Sequence, residues 1–329
     1  MKPGLRRLRG LVRWGLPVVI LAVIVRRIDL DRLGGLAAGL APAALAWGAA
    51  ASVAIVMLGA LRWHWLRGAT ASRDSYRASL GLYWRALAAG LVLPGSIGMD
   101  AYRVIDAIDR PAGSLGAAQA VLAEKLAALA ACALIVGTLL PLLGAERLPI
   151  GRGALAGALA GLAAGAIALL ALLRWPPVQA AWARAARALA ARAGRPAERG
   201  PGASAPPMRF GAGRSAGALA VSAAIFAVSA WQSHLFFAAM AWPVPYLVNL
   251  LATPLLFVVF ALPLTIGTLG VREAAFITLY GAFGVPAECA LLASFCGLAA
   301  FLGSCSIGAL LLHRQAPRSA TPAGEVGAA

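Results

Sequence analysis

Charge is scarce in this chain. Asp, Glu, Lys and Arg together make up 12% of its 329 residues, about half the share of roughly 25% in a soluble domain. That shortfall excludes an ordinary soluble globular protein. Histidine is scarcer still, with three residues and no H-E-x-x-H, which excludes a zincin-type site. The four cysteines, Cys132, Cys289, Cys296 and Cys305, lie in apolar runs without C-x-x-C spacing. That argues against a zinc ribbon or thiol redox motif and leaves them as small hydrophobes. No G-x-x-x-x-G-K-[ST] is present, so an ATP-driven pump within this chain is excluded. No cofactor and no metal is expected, and no residue is assigned a catalytic role.

What the chain has in abundance is apolar length. Hydrophobic residues make up 61% and the mean hydropathy is +0.82. Apolar stretches of 18 or more residues recur throughout, which is the signature of membrane-crossing helices. The runs are rich in Ala, Leu and Gly and do not alternate, which excludes a membrane β-barrel. The fold class expected is an all-α polytopic membrane protein. Full spans are predicted at about 8–25, 41–61, 115–143, 153–173, 215–241 and 286–312. The first follows a basic stretch and has no small-x-small cleavage site, so it is expected to be a retained helix and not a signal peptide.

The formal charge of +17 suggests nucleic acid until its positions are read. Of the 29 Lys and Arg residues, five precede residue 14, four lie in 62–77 and eight in 174–214. Clustering of this kind follows the positive-inside rule, so the charge reads as membrane orientation, with no nucleic-acid partner. It places both termini, 62–77, the Arg-rich linker 174–214 and the tail 313–329 in the cytoplasm of a bacterial inner membrane. Within the linker, Arg184, Arg187, Arg192 and Arg195 fall on one side of a helical wheel, as in an interfacial helix on anionic lipid. A basic linker is the alternative. Gly153, Gly157, Gly161 and Gly165 recur every four residues, a bare face for close packing within the chain or, alternatively, across a homodimer seam.

Two further apolar helices, about 78–93 and 245–262, run into one shared pattern, L-P-x-[ST]-I-G-x-x-x-x-R. It reads LPGSIGMDAYR at 93–103 and LPLTIGTLGVR at 262–272. Pro94 and Pro263 would break the helices, because proline lacks the amide donor. The segments that follow, 98–110 and 270–283, reach only about 20 Å, short of a hydrocarbon core of about 30 Å. Each pair is therefore predicted to be a re-entrant hairpin, 78–110 open to the cytoplasm and 245–283 open outward. Residues 1–143 then form one repeat, and 153–173 with 215–312 form a second of inverted topology. Transporters use this arrangement, with broken helices beside the site. Eight or more full spans are the alternative.

Ionisable groups inside membrane helices are expensive and call for a role. Arg103 and Arg272 close the two motifs, and a guanidinium fork suits phosphate oxygens. Gly98, Gly267 and Gly270 would let backbone approach a headgroup closely. These five are the candidate headgroup contacts. Asp100, Asp106, Glu124, Lys125 and Glu273 would balance the arginines or carry a coupling proton. The structural alternative pairs Arg103 with Asp106, and Arg272 with Glu124 or Glu273, as ion pairs that hold the hairpins. His64 and His234 have no second ligand nearby in sequence and read as structural.

With these residues in view, the chain resembles the transmembrane flippase region of lysylphosphatidylglycerol synthases and its stand-alone bacterial relatives. The resemblance rests on GLVLPGSIGMDAYRV at 90–104, AVLAEKLAAL at 120–129 and RRIDLDRLGGL at 26–36. Its most specific part is LPLTIGTLGVREAAFITLYGAFGVPAE at 262–288. It implies movement of a lipid between leaflets, with a phosphate-bearing, polyprenyl or hopanoid lipid as the partner. The synthases' aminoacyl-transferase domain is not in this chain, so synthesis of aminoacylated lipid is not expected of it. In the family an acidic residue follows the Glu-Arg pair of this helix, whereas Glu124-Lys125 is followed by Leu126, Ala127 and Ala128. A role for that second carboxylate is therefore not expected. The alternative functions are an accessory or scaffold for a separate lipid or glycan synthase, and a lipid-modifying enzyme using Asp100 and Glu124 as acid and base.

Overall fold

The computed structural model describes residues 19–68, 74–91, 96–107, 113–143, 211–261 and 270–315, with isolated positions between 153 and 184. Among these residues every element is helical. They are α1 (residues 19–27), α2 (Leu30–Ala38), α3 (Pro42–Arg67), α4 (Tyr76–Ala89), α5 (Ser96–Asp106), α6 (Gly113–Leu143), α7 (Ala212–Ala239), α8 (Tyr246–Ala261), α9 (Val271–Gly281) and α10 (Ala287–Gln315). Four stretches are long and apolar enough to cross a membrane: Pro42–Arg67, Gly116–Leu143, Ala212–Ala239 and Ala287–His313. The protein is a multi-pass membrane protein. The predicted span 8–25 is described only from residue 19, and 153–173 and the linker 174–214 lie almost wholly outside the described residues. Gly153, Gly157 and Gly161 are helical and exposed, with open space where a Cβ would stand. Among the described residues nothing packs against that face at these three positions.

Local chemistry sets the helix ends. Pro42 occupies the first turn of α3, where its missing amide costs nothing, and His64 and Arg67 lie in the last turn, where cations suit the helix dipole. This helix runs six residues beyond the predicted 61, through Arg62 and Trp63, to a stop at Gly68. Ser75 caps α4 by accepting the Ala78 amide at 3.3 Å, and Gly90 ends it. The helix α2 has no counterpart in the sequence reading. Asp29 caps it by accepting the Arg32 amide at 3.0 Å, and Leu33, Leu36 and Leu40 dock it onto the bundle.

Helices α3 and α7 form the central seam and run antiparallel. Near the start of α3, Gly48 receives the Phe236 ring of α7, and Gln232 donates to the Gly48 carbonyl at 2.6 Å and the Ser52 hydroxyl at 2.7 Å. Near its other end, Trp65 lies over Gly217. The bundle therefore has two distinct ends. At one, Trp63 and Leu66 of α3 pack with Leu82, Ala107, Ala117, Ala120 and Ala218. The first part of α4, the end of α5, the first part of α6 and the first part of α7 thus meet the end of α3. At the other, Phe236, Phe237 and Met240 pack with Val244, Val248, Tyr280, Val285 and Cys289, joining the end of α7 to the beginning of α8, the end of α9 and the beginning of α10.

The two short helix pairs consequently open at opposite ends of the bundle. The pair α4–α5 enters and leaves beside Trp63 and Leu66, and the pair α8–α9 enters and leaves beside Phe237 and Met240. Their helices of 14, 11, 16 and 11 residues reach about 16–24 Å each, short of a hydrocarbon core.

Candidate functional site

Glu124, from α6, is the hub of a buried charge cluster. It is 2% exposed, and its two oxygens accept from different arginines, Oε1 from Arg62 Nε at 3.2 Å and Oε2 from Arg103 Nη1 at 2.6 Å. Arg103 Nη2 donates to Asp100 Oδ1 at 2.5 Å, and Lys125 Nζ lies 3.0 Å from the other Asp100 oxygen. Arg62 Nη1 donates to the Ser222 hydroxyl at 2.8 Å, tying in α7. The Arg103 guanidinium also stands over Trp63 at 4.5 Å and Tyr83 at 5.1 Å, where the ring faces attract the cation. Three cations face two carboxylates, and Arg103 spends both ends of its fork on protein oxygens. Buried charges survive when each has a partner, and this cluster meets that condition while fastening α5 to α3, α6 and α7. The ion-pair partners found for Arg103 are Asp100 and Glu124.

The second arginine is held differently. Gly270 sets the start of α9 with φ of +79°, a conformation in which a side chain would be strained. The Glu273 carboxylate accepts the Gly270 amide at 2.6 Å and is fully buried. This carboxylate therefore serves the positive end of the helix. Glu124 is committed to Arg62 and Arg103. Arg272 thus has neither of its expected ion-pair partners, and among the described residues no carboxylate lies within 4.0 Å of it. Its Nη2 donates to the Ser294 carbonyl of α10 at 3.0 Å, the Phe260 and Phe276 rings stand 5.9 Å away, and its buried Nε has no partner. Gly297 leaves room for it, since a Cβ there would stand 2.8 Å from Nη2.

The repeated motif is therefore not a repeated conformation. Arg103 lies in the last turn of α5 and Arg272 in the first turn of α9. Gly98 is buried in the first turn of α5. Pro94, Pro263 and Gly267, the predicted breaks and one candidate contact, lie outside the described residues.

Arg62, expected in the cytoplasmic segment 62–77, stands instead in α3 at the cluster, and Trp63, Tyr83 and Ser222 join it without having been candidates. The available signal was the lack of any breaker before Gly68. His64 pairs through Nδ1 with the Ser79 hydroxyl at 3.2 Å, and His234 Nδ1 donates to the Val244 carbonyl at 2.8 Å, so both have structural partners. A G-x-S-x-G string occurs at 213–217, but it lies inside the continuous helix α7. It lacks the strand-to-helix elbow that makes such a serine a nucleophile.

No curated protein and no solved structure matches the chain. The family described as Lysylphosphatidylglycerol synthase TM region matches residues 10–305. That span contains both motifs, the charge cluster and Arg272, and the chain belongs to the lysylphosphatidylglycerol synthase TM region family.

Proposed function

We propose that the protein is a flippase-like transporter that carries a lipid with a phosphate-bearing headgroup between leaflets and performs no catalytic step. Family membership supports a membrane protein of lipid-related processes. The observation that carries the finer reading is Arg272, a largely enclosed cation with no carboxylate partner among the described residues and an unpartnered Nε. A guanidinium in that condition is suited to an anion that arrives with the substrate. The short pairs α4–α5 and α8–α9 opening at opposite ends support re-entrant hairpins in an inverted repeat. The end that receives the close of α3 is also the end from which the basic segments 62–77 and 174–214 leave. This supports a cytoplasmic position for that end, with both termini on the same side, in a bacterial inner membrane.

The test is a vesicle assay with purified full-length protein and a fluorescent phosphatidylglycerol whose outer-leaflet population is quenched by a membrane-impermeant reductant. The wild type should expose inner-leaflet lipid to quenching. Arg272→Lys keeps the charge but loses the fork, and should lower the rate by about ten-fold or more, the effect of losing one charge-assisted hydrogen bond, with an unchanged melting temperature. A Lys variant as active as the wild type, or one that does not accumulate, would remove the headgroup role. A wild type that moves no lipid would overturn the transport reading itself.

A further inference from the structure

Two further arginines within the helices stand outside the charge cluster: Arg67, at the end of α3, which faces Asp74 at 3.8 Å, and Arg85. Arg85 is the tenth residue of α4, about 14 Å along the axis from the helix start. Its Nε is buried without a hydrogen-bond partner, as is the Arg103 Nε, but unlike Arg103 it forms no ion pair among the described residues. The contrast with Arg103 is chemical. Where the bundle uses a buried guanidinium as a fastener, it supplies two carboxylates and two aromatic faces. Arg85 receives none of these, although an uncompensated cation within a membrane helix is costly.

Position gives the lone cation a use. Side chains on a helix lean toward its N-terminus, so Arg85 reaches toward the end where the pair α4–α5 opens. Its own face of α4 carries Ala78, Gly81 and Ala89, and open space lies where a Cβ on Gly81 would stand. The adjacent Trp84 carbonyl rests on Gly308 of α10. Arg272 meets the same helix at Ser294 and Gly297. From Gly297 to Gly308 is eleven residues, about 16 Å of helix. The backbone beside Arg85 and the Arg272 side chain therefore meet α10 at two levels, one from each short helix pair.

We propose that Arg85 is a second anion site, which takes the phosphate of a lipid headgroup on the side where α4–α5 opens. Together with Arg272 it makes a two-step path along α10. This rests on the lipid-carrier reading for its cargo. Two levels of positive charge let a phosphate cross the apolar layer in two shorter moves, each beginning and ending beside a guanidinium.

The experiment uses the purified full-length protein and the variants Arg85→Gln, Arg85→Lys and Arg272→Gln. Native mass spectrometry measures binding of phosphatidylglycerol, phosphatidylcholine and inorganic phosphate, and the vesicle assay measures lipid movement. Arg85→Gln should weaken phosphatidylglycerol binding about ten-fold, as expected for one charge-assisted hydrogen bond, with an unchanged melting temperature because no internal partner is lost. Arg85→Lys should recover part of the binding, and phosphatidylcholine should bind more weakly than phosphatidylglycerol to the wild type. Phosphatidylglycerol binding by Arg85→Gln equal to the wild type overturns the proposal. So does failure of that variant to accumulate, which would make Arg85 structural. Inorganic phosphate that binds as well as the lipid, and loses binding equally in Arg85→Gln, would identify a free-phosphate site and remove the lipid path. If the wild type moves no lipid while Arg85→Gln still loses phosphatidylglycerol binding, the transport reading falls and the anion site stands.

Discussion

A buried guanidinium is tolerated if the protein neutralises it or if a ligand does, and this chain contains both solutions. Arg103 is neutralised by Glu124 and Asp100 and stacked by Trp63 and Tyr83; among the described residues neither Arg272 nor Arg85 forms an ion pair within 4.0 Å, and Arg272 has only the charge of its neighbour Glu273 nearby. Removing Glu124 should therefore be the most damaging change in the cluster, because Arg62 loses its carboxylate partner and Arg103 one of its two. Glu124→Gln should lower stability by about 3–5 kcal/mol, the usual cost of breaking a buried pair, read as a fall in melting temperature followed by tryptophan fluorescence. Asp100→Asn should cost less, since the Asp100 side chain is 18% exposed and water relieves part of the loss. Equal small effects would mean the cluster holds nothing together. Gly297→Ala tests the other arginine from outside. Its methyl would stand 2.8 Å from Arg272 Nη2, the far end of a flexible chain, so the fold should survive while the guanidinium moves. Lipid movement should then drop several-fold, on the scale of a misplaced charge-assisted hydrogen bond, at an unchanged melting temperature.

At the scale of elements, four of the six expected spans are found among the described residues, because apolar length is a strong signal, and only the end of α3 departs from its expected place by more than about three residues. A charged Arg62 argues for an end of α3 at 61, yet the helix continues because Glu124, sixty-two residues away, offsets that charge. Helix α2 was missed for a similar reason. Gly34 and Gly35 weaken its local signal, and its stability comes from Leu33, Leu36 and Leu40 docking on the bundle. In the site, each costly charge could be seen singly, but the pairing could not. Asp100 and Asp106 stand equally three residues from Arg103, and only the arrival of α6 decides for Asp100 and Glu124. The shared motif likewise promised two equivalent arginines, yet the break at Gly270 has Ala101 as its counterpart, inside α5. The central seam gives a clean test of packing. A Cβ at Gly48 overlaps the Phe236 ring, which is 2% exposed and has little room to yield. Gly48→Val should destabilise by about 1–3 kcal/mol, as overpacking does, seen as earlier thermal loss of the monodisperse peak in size-exclusion chromatography. A variant as stable as the wild type would show that α3 and α7 are not held this closely.

At the scale of the whole molecule, orientation follows from agreement between charge and packing. Exposed Trp47 and Trp65 stand 18 residues apart on α3, about 27 Å along the axis, close to the thickness of a hydrocarbon core, as aromatic belts require. Trp65 marks the end that α3 shares with the start of α7, and Trp231 and Trp242 mark the other. The basic segments 62–77 and 174–214 attach at the first end and the loop Trp242–Pro245 at the second. By the positive-inside rule the proposed orientation has the first end facing the cytoplasm. The four native cysteines are buried, so single introduced cysteines can report on each side with little background. Ser204→Cys should resist a membrane-impermeant maleimide in intact cells and react after permeabilisation, whereas Pro243→Cys should react in intact cells. Reaction at 204 from outside, or protection at 243, would reverse the orientation. Reaction at both would place the two ends of α7 on one side, against the antiparallel seam that Gly48, Phe236, Trp65 and Gly217 define.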